Sequence, residues 1–78
     1  MITKNTLIRR ARDSYINALG FAQVNQMKNF VRYYGEACAL CELATDYFEL
    51  SEVETEMLEN LEERCLEIYW TVEAEVET

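Results

Sequence analysis

Two cysteines lie three residues apart near the middle of the chain, in the stretch GEACALCELA. A CxxC pair can carry out redox chemistry at the start of a helix, where the helix dipole and free amides stabilise a thiolate. It can also supply two of the four ligands that structural zinc requires. The sequence contains no histidine, and Cys65 is the only other thiol. Cys38 and Cys41 also fall in register on an apolar helical stripe, so we interpret them as core residues.

Glutamates with ExxE spacing are the second candidate for chemistry. All-helical nucleotide pyrophosphatases bind magnesium through such pairs on two facing helices, and Glu56, Glu59 and Glu62 match the spacing. The preceding helix offers no matching pair, and a glutamate-rich helix produces ExxE by chance. Nucleophilic catalysis lacks a histidine base, and no glycine-rich phosphate loop is present. We therefore predict no catalytic, metal or cofactor site and no enzymatic activity, with a metal-dependent helical hydrolase as the alternative.

The chain that must position these residues is predicted to be a single all-α domain spanning 1–78. The sequence has no proline and only two glycines, which favours long helices over sheets. Apolar residues recur at spacings of three and four over 4–19, 22–49 and 52–76. With short connections, these helices predict an up-down-up bundle dominated by a long antiparallel hairpin of the second and third helices.

The ends of the helices are predicted from local signals. SEVE at 51–54 is a capping box, in which the Ser51 and Glu54 side chains each bind the other residue's amide. The sequence ALGF indicates that the first helix ends at Gly20 in a left-handed cap. A single helix continuing through Gly20 is the alternative, at a cost of about 1 kcal/mol relative to alanine.

Charge is distributed unequally along the chain. Residues 1–35 contain six basic residues and one acid, whereas residues 36–78 contain fourteen acids and one base. Such a split indicates that the two parts attract each other or that one of them meets a charged partner. We expect Arg9 and Arg12 to pair with acids of the third helix. The excess of acids argues against direct binding of nucleic acid by the IRRAR cluster.

The most distinctive feature is a line of acids on the third helix, which we call the acidic ridge. Its members follow spacings of four, three, four and four: Glu52, Glu56, Glu59, Glu63 and Glu67. Successive members rise by about 4.5–6 Å, similar to the roughly 3.4–7 Å between phosphates of a nucleic-acid strand. Trp70 continues the line, and a tryptophan beside such a ridge is typical of a binding hot spot. An ordinary solvated face is the alternative.

These features predict a small acidic binding protein that acts through a protein partner with a basic surface. Its physical type is that of inhibitors that occupy nucleic-acid sites, such as phage-encoded anti-defence proteins, although no motif supports the comparison. Two apolar stripes on the second helix exceed what one small bundle covers, which predicts a homodimer; a structural self-associating subunit is a further alternative. Charges in the first residues, the short uncharged runs and the odd cysteine count predict a cytoplasmic protein with no membrane association.

Overall fold

Three helices make up the computed structural model, which describes residues 2–77 and the side chains of residues 2–72. Helix α1 spans Lys4–Gln23, α2 spans Met27–Tyr47 and α3 spans Glu52–Glu77. No strand occurs within residues 2–77. The prediction of a small all-α three-helix bundle is confirmed.

Two helix starts are capped by side chains. The Glu54 amide donates to the Ser51 hydroxyl oxygen at 3.1 Å, and the Ser51 amide donates to the Glu54 carboxylate at 2.8 Å. This reciprocal pair is the predicted capping box, and it satisfies amides that have no partner within the helix. At the start of α1, the Thr3 hydroxyl accepts from the Thr6 amide at 3.2 Å.

The predicted break at Gly20 is wrong. Helix α1 continues through Gly20 to Gln23, and α2 begins at Met27 rather than at residue 22. The extra turn of α1 is stabilised by packing, because the ring of Phe21 stacks on that of Tyr33 with centroids 5.3 Å apart. The chain reverses instead at Asn25, whose φ of 59° lies in the left-handed region that asparagine tolerates better than most residues.

The order of packing also differs from the prediction of a dominant hairpin of α2 and α3. Helix α1 packs most extensively against α2 and less against α3, whereas α2 and α3 barely touch. Lys4 pairs with Glu54 near the start of both helices, and the Cys65 thiol points at the Tyr15 carbonyl further along. Both contacts join residues fifty positions apart in sequence, so α1 and α3 run parallel. Helix α1 is thus the central element, and α2 and α3 diverge on either side of it.

The core is made of small residues and a few large ones. Ala11 and Ala18 on α1, and Ala37 and Ala44 on α2, are all fully buried. Small side chains allow two helix backbones to approach closely, which explains the extensive contact between α1 and α2. The largest fully buried side chains, one on each helix, are Tyr15, Phe30 and Cys65.

The two halves of the charge distribution are joined by a single ion pair within the described side chains. Lys4 Nζ lies 3.1 Å from a Glu54 oxygen, next to the capping box. The predicted pairing of Arg9 and Arg12 with α3 is not found, since Arg12 contacts its neighbour Asp13 at 3.2 Å and Arg9 is exposed. Both arginines are exposed, and neither forms an ion pair with α3 within the described side chains.

The apolar stripes of α2 are covered unequally. Helix α1 covers the stripe that contains Phe30, Ala37 and Ala44, all of which are buried. The other stripe, which contains both α2 cysteines, faces α3 and is only partly covered, with Val31 half exposed. The homodimer was predicted from an excess of apolar surface on α2. That excess is smaller than the sequence indicated, because α1 covers one of the two stripes.

Candidate protein interaction surface

Every residue of the acidic ridge lies on the solvent-exposed side of α3. The structure places the five glutamates on a single helix face, and each of them is exposed. Leu58 and Cys65, which attach α3 to the core, are buried on the opposite face. This arrangement follows from the helix repeat of about 3.6 residues, since spacings of three and four keep both sets aligned.

Trp70 lies one turn beyond Glu67, in line with the ridge. Its side chain is 61 % exposed. The indole packs edge-on against the ring of Tyr69, with the centroids 5.6 Å apart and the planes at 77°. A large aromatic group held in this way presents most of its surface to solvent, a feature that is common in residues anchoring a protein interface.

No basic side chain among the described residues forms an ion pair with the ridge. The two ion pairs formed by the described side chains involve Glu54 and Asp13, neither of which belongs to the ridge. Glutamates four residues apart on an exposed helix repel each other by a few tenths of a kcal/mol per pair. Glu52 and Glu56, and likewise Glu59, Glu63 and Glu67, have this spacing. The ridge thus lowers helix stability slightly while producing a strong local negative potential.

A shallow depression of about 490 Å³ adjoins the middle of the ridge. It is lined by four carboxylates, one amide and one leucine: Glu56, Glu59, Glu62, Glu63, Asn60 and Leu66. Leu66 borders the ridge and is only partly buried. The depression therefore combines negative charge with a small apolar contact, and basic side chains with aliphatic stems complement both.

The cysteine pair lies at the edge of the core rather than on the ridge. The Cys41 thiol donates to the Tyr15 hydroxyl at 3.6 Å, and the Cys38 sulfur lies 3.8 Å from the same oxygen. Burial raises the pKa of the Cys41 thiol above its ordinary value. Burial also raises the pKa of Cys65 to about 11. These two thiols are therefore kept protonated at neutral pH, which disfavours nucleophilic or metal-binding chemistry.

The structure also reveals a groove between α2 and α3 that the sequence did not indicate. Its cavity of about 310 Å³ is lined by residues from all three helices: Tyr15, Cys38, Cys41, Glu42, Thr45, Asp46 and Glu62. Glu42 and Asp46 of α2 share this cavity with Glu62 of α3. Glu62 is not a member of the ridge, because it lies on a different face of that helix.

No three histidine, cysteine, aspartate or glutamate side chains in the described part of the chain are placed to hold a metal ion. Among the described residues, no helix has both the length and the apolar character needed to cross a bilayer. Protein-family models, curated proteins and solved structures were compared with the chain, and none of them matched it. The fold and the surface thus define a small all-α bundle with an exposed acidic face.

Proposed function

We propose that this protein is a non-enzymatic binding protein whose acidic ridge, together with Trp70, contacts a basic surface on another protein. The observation that carries the proposal is the continuous line of five exposed glutamates, none in an ion pair within the described side chains, ending at a tryptophan that is 61 % exposed. The protein would bring no catalytic group of its own to the complex and would act by occupying its partner's surface.

The acidic ridge and Trp70 differ energetically from an ordinary solvated helix face. Repulsion between the glutamates weakens the isolated helix, and an indole that is 61 % exposed gains only part of the free energy of full burial. A basic partner removes both disadvantages, because its cations neutralise the ridge and its surface covers Trp70. Complementary charge also accelerates the encounter of the two proteins, whereas the aromatic anchor slows their separation.

The spacing of the ridge indicates the class of partner. Charges that rise by about 4.5–6 Å along a helix suit basic sites that bind nucleic-acid phosphates, which are roughly 3.4–7 Å apart. We therefore propose that the partner is a nucleic-acid-binding protein and that this protein inhibits it by charge mimicry, as phage or mobile-element anti-defence proteins do. The protein itself does not bind nucleic acid in this proposal.

The test uses the partner captured from the native host and measures association and dissociation rates at low and high salt. Glu59→Lys together with Glu63→Lys should weaken binding by about tenfold or more, mainly through slower association. Trp70→Ala should mainly accelerate dissociation. Both changes lie on the exposed face of α3, so helix content measured by circular dichroism should not change.

The matched control reverses two exposed charges elsewhere, with Arg9→Glu and Arg10→Glu. This variant should bind at least as well as the wild type, because the two replaced arginines lie on α1 and not on the ridge. Equal binding by wild type and by the double lysine variant at low and high salt would contradict the proposal. A competition experiment, in which this protein and nucleic acid compete for the captured partner, tests inhibition directly.

Two further expectations belong to this proposal: a homodimer and a cytoplasmic location. The apolar surface left for self-association is smaller than predicted. It still includes exposed side chains on each helix and in the turn after α1: Ile16, Val24, Val31, Leu43, Tyr47 and Val53. Sedimentation velocity at micromolar loading tests the dimer, since a concentration-independent 9.2 kDa species would contradict it. A fluorescent fusion expressed in the native host tests the location.

A further inference from the structure

Helices α2 and α3 diverge so that α1 forms the floor of the groove between them. Tyr15, whose side chain is fully buried by its neighbours, lines that floor. Cys38 and Cys41 extend the floor along α2, with their thiols directed at the Tyr15 hydroxyl at 3.8 and 3.6 Å. The floor is therefore weakly polar, and its few polar atoms already contact one another.

The rim of the groove has the opposite character. Glu42 and Asp46 stand on the α2 side and Glu62 on the α3 side, and no basic residue lines the cavity. A second cavity of about 180 Å³ continues the groove towards the loop between α2 and α3 and adds Leu58 and Glu59 to its lining. None of these four carboxylates forms an ion pair within the described side chains. The groove thus combines a weakly polar floor with a rim of carboxylates that form no ion pair within the described side chains.

An arginine side chain complements both parts of this groove. Its aliphatic stem packs on weakly polar surface, while its planar guanidinium donates several hydrogen bonds to carboxylates on more than one side. Such charge-assisted pairs are about twice as strong as neutral hydrogen bonds. A lysine supplies one compact charge that holds its hydration more strongly, so it matches a rim of separated carboxylates less well.

We infer that the groove between α2 and α3 binds an arginine side chain of the basic partner. Glu42, Asp46 and Glu62 receive the guanidinium, and its stem lies over Cys38 and Cys41. This inference rests on the function proposed above and adds a specific contact to it. The groove shares Glu59 and Glu62 with the depression beside the ridge, so one basic segment of the partner can contact the ridge and enter the groove together.

The experiment uses an oligo-arginine peptide and an oligo-lysine peptide of equal length as probes of the full chain. Alkylation rates of the three thiols are measured by mass spectrometry, with the buried Cys65 as internal reference, and amide chemical shifts are followed over residues 38–46. The arginine peptide should slow alkylation of Cys38 and Cys41 and shift these amides, whereas the lysine peptide should bind without comparable protection.

Glu42→Gln with Asp46→Asn should abolish the protection of the thiols and weaken arginine-peptide binding by about tenfold. The matched control, Glu36→Gln with Glu49→Gln, removes the same charge from exposed positions outside the groove and should retain protection. The ridge variant Glu63→Gln with Glu67→Gln should bind both peptides more weakly but still show thiol protection when saturated with the arginine peptide.

The outcomes separate the groove from the ridge. Binding of the arginine peptide without thiol protection or amide shifts would overturn the groove inference and leave the ridge proposal intact. Thiol protection that persists in the Glu42→Gln, Asp46→Asn variant would also overturn the groove inference, because these rim carboxylates would then not be binding the guanidinium. No binding of either peptide at low salt would contradict the ridge and the groove together.

Discussion

Helices α1 and α2 form a close-packed pair, whereas α3 is attached to them along one narrow face. The pair shares four buried alanines, the buried ring of Phe30 and the Phe21–Tyr33 stack. Helix α3 contributes two buried hydrophobic side chains within its described part, Leu58 and Cys65, and directs the glutamates of the acidic ridge outward. Stability is therefore concentrated in one part of the molecule, and the charged surface lies on the other.

This difference has a functional consequence. An element with few buried contacts and many exposed hydrogen bonds opens more easily than the core does. Because α3 contacts α2 so little, it leaves a groove on one side and a free acidic face on the other. A partner that binds both of these surfaces would hold α3 against α2 and stabilise the element that is most weakly attached in the free protein.

The largest expected effect tests where stability lies. Phe30→Ala should lower the free energy of unfolding by about 3–5 kcal/mol, because it removes a fully buried ring and leaves a cavity. That loss is comparable with the whole stability of a domain of this size. Leu58→Ala on α3 should cost roughly 2–3 kcal/mol, since fewer side chains surround it. Urea unfolding followed by circular dichroism measures both; equal losses would show that α3 is as tightly integrated as α2.

The cysteines provide the next test, because they lie where the two regions meet. Cys38→Ala and Cys41→Ala should each lower stability by about 1–2 kcal/mol and preserve the helix content. The loss of stability for Cys65→Ala should lie at the upper end of this range, because Cys65 is the only one of the three cysteines that is fully buried. Chelators and mild oxidants should leave the unfolding midpoint of the wild type unchanged. Unfolding of the wild type by a chelator, but not of the double alanine variant, would contradict a structural role.

The start of α3 offers a smaller and pH-dependent effect. Ser51→Ala should lower stability by about 1 kcal/mol, since it removes the hydroxyl that accepts from the Glu54 amide. The hydrogen bond from the Ser51 amide, with help from Lys4, lowers the pKa of the Glu54 carboxyl below its ordinary value. Because the pKa is lowered, the ionised Glu54 carboxylate contributes its full stabilisation at pH values above the ordinary glutamate pKa. This stabilisation disappears as the pH falls through the lowered pKa.

Thermal unfolding across the acidic range checks the sign of this effect. Glu54→Gln should lose stability relative to the wild type at neutral pH, and the difference should shrink as the pH falls. Glu56→Gln serves as the control, because Glu56 is exposed on the same turn and takes no part in the capping box. A difference for Glu54→Gln that grows towards low pH would contradict the capping arrangement.

The smallest effect concerns the glycines inside α1 and α2. Neither Gly20 nor Gly35 has a positive φ, and a Cβ built at either position meets no atom within 4 Å. Gly20→Ala and Gly35→Ala should therefore each raise stability by about 0.5–1 kcal/mol. If α1 ended at Gly20 in a left-handed cap, alanine there would be destabilising instead. The thermal midpoint of the two variants distinguishes these cases.

Local signals in the sequence were sufficient for most of the helix bounds. The capping box at Ser51 and Glu54 is present as predicted, and the predicted third helix differs from α3 by one residue at its end. The boundary between α1 and α2 was misplaced, because Gly20 is a permissive residue that a helix can retain at small cost. The stacking of Phe21 on Tyr33 decided the outcome, and that contact joins different helices.

The exposure of the ridge was also predictable from local sequence, since helical spacing alone places its glutamates opposite the apolar stripe. The groove was not predictable, because it depends on which pairs of helices pack most closely. Apolar stripes on α2 are compatible with α1 or α3 as the main neighbour, and only the fit of small side chains between α1 and α2 resolves this ambiguity.

Periodicity and capping thus determined the three helices and the outward face of α3, because both depend on residues within a few positions of each other. Tertiary structure alone decided that α1 lies at the centre, that α2 and α3 barely touch, and that Tyr15, Cys38 and Glu62 share one cavity. Those features arise from contacts between residues far apart in the chain, whose free energies depend on shape complementarity that no short pattern encodes.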